Sequence, residues 1–342
     1  MVTLFDSADT RKELVSIMQE IAKAHEPEHA RLLKDMMTPP EIAVQDYVDE
    51  LGFKEGAWYR PAHNKLVPAA MMAICHQTFR GGQLVPRDLV YVAQMHDAGN
   101  SYMAVAATTQ GADWESVDKR WGHMGIGAGM LAKKLNELRS KGVLEMDDRR
   151  IADLYLIAAT HDFPYLGTPF KNPRDDFGPL GPRVADEALA HRDADRAFVM
   201  STLSFWKDLV AQMSDKGYER KANELGYERV TPELMFRART AFFYDRYNSD
   251  EAKPQADEEA STWVLTGTDM GYDILATYNE GGKVERMSTR TGQRIVRRQF
   301  SARARELEQV ADMSTPKQFG DMFATAFDSE MRQMFRYARE GV

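Results

Sequence analysis

Eight histidines are spread over 342 residues, and two of them open His-Asp dipeptides, His96-Asp97 and His161-Asp162. With 28 aspartates in the chain, chance supplies about 0.7 such pairs, so the dipeptide alone decides little. Context decides more. His96-Asp97 closes the apolar run LVYVAQM, where an imidazole and a carboxylate would project from a buried helix end unless something satisfied them. A metal ion would do so, since imidazole and carboxylate together suit Mn, Fe, Ni or Zn. The one cysteine, Cys75, excludes a thiolate-rich structural zinc site.

His96, Asp97, Ala98 and Gly99 match the His-Asp-x-Gly motif that ends the central helix of the HD-domain superfamily of metal-dependent phosphohydrolases, and here the chain resembles that superfamily. Upstream, His63 in AHNKLVPAAMMAIC is similar to the family's first histidine, although Pro68 must lie in the first turn or kink its helix. Downstream, HMGIGAGML from His123 resembles the His-Pro-x-x-Gly helix start of the HD-GYP branch. His161 stands at that branch's His-His-Glu segment, and Gly167-Thr168-Pro169-Phe170 is similar to its glycine-tyrosine-proline loop. HRDADRAF resembles the closing helix, with Asp195 as its last ligand. The match runs from about residue 63 to 200.

The resemblance implies two divalent transition metals, Fe or Mn foremost and Ni or Zn as alternatives. Asp97 would bridge them, one ion taking His63, His96 and Asp195 and the other His123 and His161. His96 and Asp97 would then form the catalytic heart, with a metal-bridging hydroxide as nucleophile. The implied activity is hydrolysis of a phosphate ester, a nucleotide or a phosphodiester signalling molecule. An HD-type diiron oxygenase acting on a small polar substrate uses the same ligand pattern. A catalytically silent HD-like sensor or scaffold is a third reading. HD-GYP enzymes carry lysines where this chain has Asn100 and Phe198, so the expected substrate contacts move to Lys171, Arg174, Arg120 and Asn100. His191 and Asp193 read as helix surface beside the last ligand, and His76 is the fallback for His63.

These residues need a scaffold, and the periodicity is helical. Leu14, Met18, Ile21 and Ala22 share a face, Pro39-Pro40 opens a second helix, and residues 1–60 form a helical lead-in. Apolar blocks at 66–75, 84–95, 124–138, 151–160 and 198–213 make residues 61–247 an all-helical core, which the resemblance implies is an HD-type helical metal-binding domain. GIGAG at 125–129 is not a dinucleotide fingerprint, because no strand precedes it. The proline-rich loop from Phe163 to Pro182 is expected to border the substrate. Residues 248–342 read as an acidic loop, a small antiparallel β-meander (263–266, 272–278, 284–287 and 293–296) and closing helices near 301–312 and 316–339. The fold class is therefore mainly α.

Composition sets the outer bounds. Hydrophobic residues at 43% and charged residues at 28% are those of a folded globular chain, and a net charge of −8 argues against wholesale coating of nucleic acid. The longest apolar run, Leu66 to Cys75, is ten residues and contains Pro68, so no membrane partner is expected. A single cysteine and no targeting pattern fit the cytoplasm. The expected partner is a small anionic, phosphorylated substrate, with nucleic acid not the main one and a homo-oligomer compatible. Residues 283–305 hold eight Lys/Arg against one acidic residue, either a solvated surface or a landing site for an anion.

Overall fold

A computed structural model describes residues 4–52, 58–79, 82–100, 119–161, 182–213, 231, 232, 236 and 287–342. Among these residues the chain is helical, as the periodicity requires. The ten helices are α1 (Ala8–Lys34), α2 (Pro39–Leu51), α3 (Arg60–Ile74), α4 (Leu89–Met95), α5 (Lys119–Ser140), α6 (Asp148–Ala159), α7 (Pro182–Val199), α8 (Thr202–Met213), α9 (Arg290–Ala311) and α10 (Pro316–Glu340). None is long and apolar enough to cross a membrane.

The chain divides into two compact units. One contains α2 to α6 with the adjoining parts of α1 and α7 and the end of α10; the other contains the start of α1, α8, α9 and most of α10. In the first, the short helix α4 is the hub. All seven of its residues are buried, and it packs against α2, α3, α5 and α6. A polar latch fixes α2 to it: buried Glu41 accepts from the Thr38 backbone (2.8 Å) and from Arg87 Nε (2.7 Å), while Gln94 of α4 donates to the Glu41 carbonyl at 2.8 Å. Cys75, after α3, points its thiol at the Pro86 carbonyl (3.4 Å), and burial pushes that thiol up to about 12.

Two glycines set the spacing between α4 and α5. A Cβ on Gly99 would lie 2.0 Å from the His123 carbonyl oxygen, and one on Gly127 would lie 2.9 Å from that of His96. Neither carbonyl can retreat without moving its helix. Gly125 and Gly129 of the same GIGAG run meet nothing within 4 Å, so only the central glycine of that motif is demanded by packing.

The second unit is an aromatic core around a buried polar network. Phe5 stacks on Trp206, whose ring meets Phe319 edge-on at 5.3 Å. The Trp206 indole donates to Glu306 at 2.6 Å, Arg303 donates to the other Glu306 oxygen, and Glu330 receives the Thr202 backbone and hydroxyl. These bonds tie α8, α9 and α10 together while satisfying charges that burial would otherwise make costly.

The expected last strand, 293–296, is corrected here: it lies inside α9. Thr291 and Gly292, whose types also suit a turn, lie in the first turn of this helix, with the hydroxyl of the N-cap Thr289 accepting from the Gly292 backbone at 3.0 Å. Ile295 and Val296 continue to Phe300 and Val310 at helical spacing on the buried face, which a four-residue β window cannot register. The other expected strands lie outside the described residues apart from Met287, and no strand occurs among those described; Thr78 and Leu84 form one isolated antiparallel bridge.

Candidate metal centre

Five helices, two of them through the turn that follows, bring six side chains together. His63 sits on the first turns of α3, which runs unbroken past Pro68. His96 and Asp97 follow α4, His123 is on α5, His161 follows α6 and Asp195 is on α7. All four imidazoles are buried.

Their orientations are fixed locally. The Nδ1 of His96 lies 3.0 Å from the Ala93 carbonyl, and that of His161 lies 2.8 Å from the Ala158 carbonyl. A carbonyl can only accept, so each Nδ1 carries the proton and each Nε2 presents a lone pair inward. His63 Nδ1 is 3.3 Å from the Asn64 side-chain oxygen, which imposes the same choice. His96 Nε2 is buried without a satisfied hydrogen bond, although Asp195 Oδ1 lies 3.3 Å away.

The inward atoms fall into two groups. In one, Asp195 Oδ1 lies 3.3 Å from the Nε2 atoms of both His63 and His96, and Asp97 Oδ2 lies 3.8 and 3.7 Å from the same two nitrogens. In the other, the Nε2 atoms of His123 and His161 approach to 3.3 Å, and Asp97 Oδ1 stands 3.6 and 3.8 Å from them. Donors that share one ion at about 2.0–2.2 Å lie roughly 3–3.5 Å apart, so both groups are near the size that a metal requires. His63, His96 and Asp97 form one potential metal-holding set, and Asp97, His123 and His161 another.

Protonation suits the same purpose. Burial holds His63 and His96 below the ordinary histidine value, and their contacts with Asp195 do not reverse it. For Asp195, burial pushes upward, but the attraction of His96 and the hydrogen bonds of both histidines prevail and keep it well below the usual carboxylate range. Neutral imidazoles beside an ionised carboxylate are the state in which such residues ligate.

Two neighbours of Asp97 refine the picture. Asn100 donates to its Oδ1 at 2.8 Å, so this residue, expected to touch substrate, is placed as a holder of the carboxylate. Arg60, not singled out from sequence, donates to Oδ2. The available signal was its position three residues before His63, which puts both on one face of a helix start. His191 and Asp193 are fully buried rather than surface residues. The His191 ring packs edge-on against His96 and His161, at 5.2 and 6.1 Å. Both of its nitrogens lack a hydrogen-bond partner, and burial keeps it well below the ordinary value. His76 is elsewhere, facing the Ala338 carbonyl at 2.9 Å. Lys171, Arg174, Asp162 and nearly all of the Phe163–Pro182 loop lie outside the described residues, as does the Arg120 side chain.

One guanidinium joins three of the ligand-bearing segments. Arg150, in the first turn of α6, donates through Nε to Asp88, which precedes α4, and through Nη1 to the buried Glu187 of α7, at 2.7 and 2.5 Å. Asp88 stands eight residues before His96, and Glu187 eight before Asp195. No protein-family model matches the chain, and no curated protein or solved structure matches it.

Proposed function

We propose that this centre holds two divalent transition metals in an HD-type helical core and hydrolyses a phosphate ester on a small anionic substrate. The observation that carries the reading is the placement of Asp97, whose Oδ2 faces His63 and His96 while its Oδ1 faces His123 and His161. A carboxylate between two imidazole groups is suited to bridging. The orphaned, lone-pair-bearing His96 Nε2 is the buried polar atom that a metal would satisfy.

In this reading His63, His96, Asp195 and Asp97 would hold one ion, and His123, His161 and Asp97 the other. Two such ions would supply Lewis acidity for activating water and neutralising charge on a phosphoryl group. The chain supplies the rest. Asn100 fixes the Asp97 carboxylate plane, and the Ala93 and Ala158 carbonyls fix the histidine tautomers. Arg60, whose side chain is 16% exposed, exchanges Asp97 for a substrate phosphate oxygen, beside Lys171, Arg174 and Arg120 as further substrate contacts.

Elemental analysis of protein purified without chelator, paired with assays on p-nitrophenyl phosphate and its diester, tests the proposal. About two Fe or Mn per chain are expected, with hydrolysis lost on chelation and restored by either metal. Full hydrolysis by metal-free protein, or no metal uptake from excess Mn²⁺, would overturn it.

A further inference from the structure

In the second unit, α9 gathers positive charge on one side. From residue 290 to 305 it holds six arginines and no lysine, aspartate or glutamate. At about 100° per residue, Arg290, Arg294, Arg297, Arg298 and Arg305 fall within an arc of about 100°. Arg290, Arg294, Arg298 and Arg305 are exposed and Arg297 is partly so. The sixth, Arg303, faces the opposite way and is buried with Glu306. Had 293–296 been a strand, Arg297 would have faced away from Arg294 and Arg298; the helix brings it onto their side. The first acidic residue on that side is Glu308, beyond Arg305.

We infer that this arginine face binds the phosphate backbone of double-stranded DNA. The face is rigid, because the reverse side of the helix is anchored by Ile295, Val296, Phe300 and Val310. Its arginines extend over about 22 Å of helix, long enough to meet several phosphates of a duplex that carries one charge per about 1.7 Å of its axis. Arginine alone, without lysine, favours planar bidentate contact with phosphate oxygens.

The other anionic surfaces fit less well. Membrane-bound amphipathic helices insert an apolar face, but that of α9 is buried, and no large apolar residue of this helix is exposed. No aromatic side chain lies on the arc, so the stacking that holds single strands is missing. The one hydroxyl there, on Ser301, donates to the Arg297 carbonyl and is not placed to read a ribose 2′-hydroxyl. Arg294, Arg297 and Arg298 already have interactions within the chain, so DNA would compete for them. Contacts of this kind are independent of sequence and steeply dependent on salt.

Fluorescence anisotropy of the full chain on a 20-base-pair duplex of arbitrary sequence, from 50 to 200 mM salt, tests the inference. The expected log–log salt slope is about −4, and Arg294→Gln/Arg298→Gln should reduce its magnitude by about 2 and weaken binding at least tenfold at 50 mM. Arg290→Gln/Arg305→Gln should do the same, so that a folding defect in one pair leaves the other to decide. Lys133→Gln/Arg149→Gln, an equal charge change on exposed positions of α5 and α6, should leave the slope unchanged. Absence of duplex binding at 50 mM, equal loss in that control, or tighter binding to duplex RNA, to a single strand or to phosphatidylserine vesicles would overturn it.

Discussion

At the scale of single residues, Asp97 carries the most. Asp97→Ala removes the one carboxylate among the described residues that faces both histidine groups, so metal content should fall below one ion per chain and hydrolysis should be lost while far-UV circular dichroism stays unchanged. Arg60→Gln should keep the metals but raise KM for a phosphate ester about tenfold or more, the cost of one charge-assisted hydrogen bond; an unchanged KM would remove Arg60 from the substrate site. Acid sensitivity belongs here too. His63, His96 and His191 are held below their ordinary value by burial. Above about pH 6.5 neither the folded nor the unfolded chain protonates them. As pH falls through that value the unfolded chain takes up protons that the folded chain refuses, and stability drops toward the folded pKa values. Metal-free protein should therefore melt at progressively lower temperature from pH 7 to pH 5, and a flat profile would contradict burial as neutral groups.

The six candidate positions were picked out by their resemblance to an ordered family pattern, and helical periodicity supplied only the segments on which His63, His123 and Asp195 sit. Arg60 was not, because a lone arginine before a helix reads as a solvated charge and only the Asp97 contact, 37 residues away, gives it a role. His191 and Asp193 were taken for surface since their neighbours Arg192 and Arg196 are charged, yet those arginines are buried as well. A buried charged helix has the sequence pattern of an exposed one.

Between elements, the approach of α4 to α5 depends on absent side chains. Gly127→Ala gains about 1 kcal/mol of helix propensity, but its Cβ would press on the His96 carbonyl, a backbone atom next to two ligands. The clash should prevail, with a net loss of roughly 1–3 kcal/mol and weaker metal retention. Gly125→Ala and Gly129→Ala, with open space around them, should stabilise by about 0.5–1 kcal/mol. Thermal melts of the three variants separate packing from propensity on one helix. The same scale explains the misread of α9. Its Thr-Gly start and its β-branched pair Ile295-Val296 are strand-like over four residues, and only the longer period through Phe300 and Val310 shows the helix.

At the scale of the whole molecule, the proposed ligands come from five separate segments, so metal held there would contribute to folding. Metal at a hundredfold excess over its dissociation constant stabilises by about 2.7 kcal/mol, so chelation should lower Tm by roughly 5 °C. Identical melts with and without metal would show that the ions do not join these segments. The mainly helical class was legible, because a 3.6-residue period repeats over many turns. How the helices divide into two units was not, since α1, α7 and α10 each run without interruption from one unit into the other, leaving no break in composition to read.

The Cys75 thiol, raised to about 12 by burial, is about one part in 10⁵ thiolate at neutral pH. The native thiol should therefore react with maleimides and iodoacetamides more slowly than an exposed one, which timed labelling of the native chain checks. A cysteine introduced at an exposed position such as Arg290 or Arg149 should take up a dye or spin label first, with the native thiol left in place. Pairs of such sites make interprobe distances measurable in the otherwise unaltered protein.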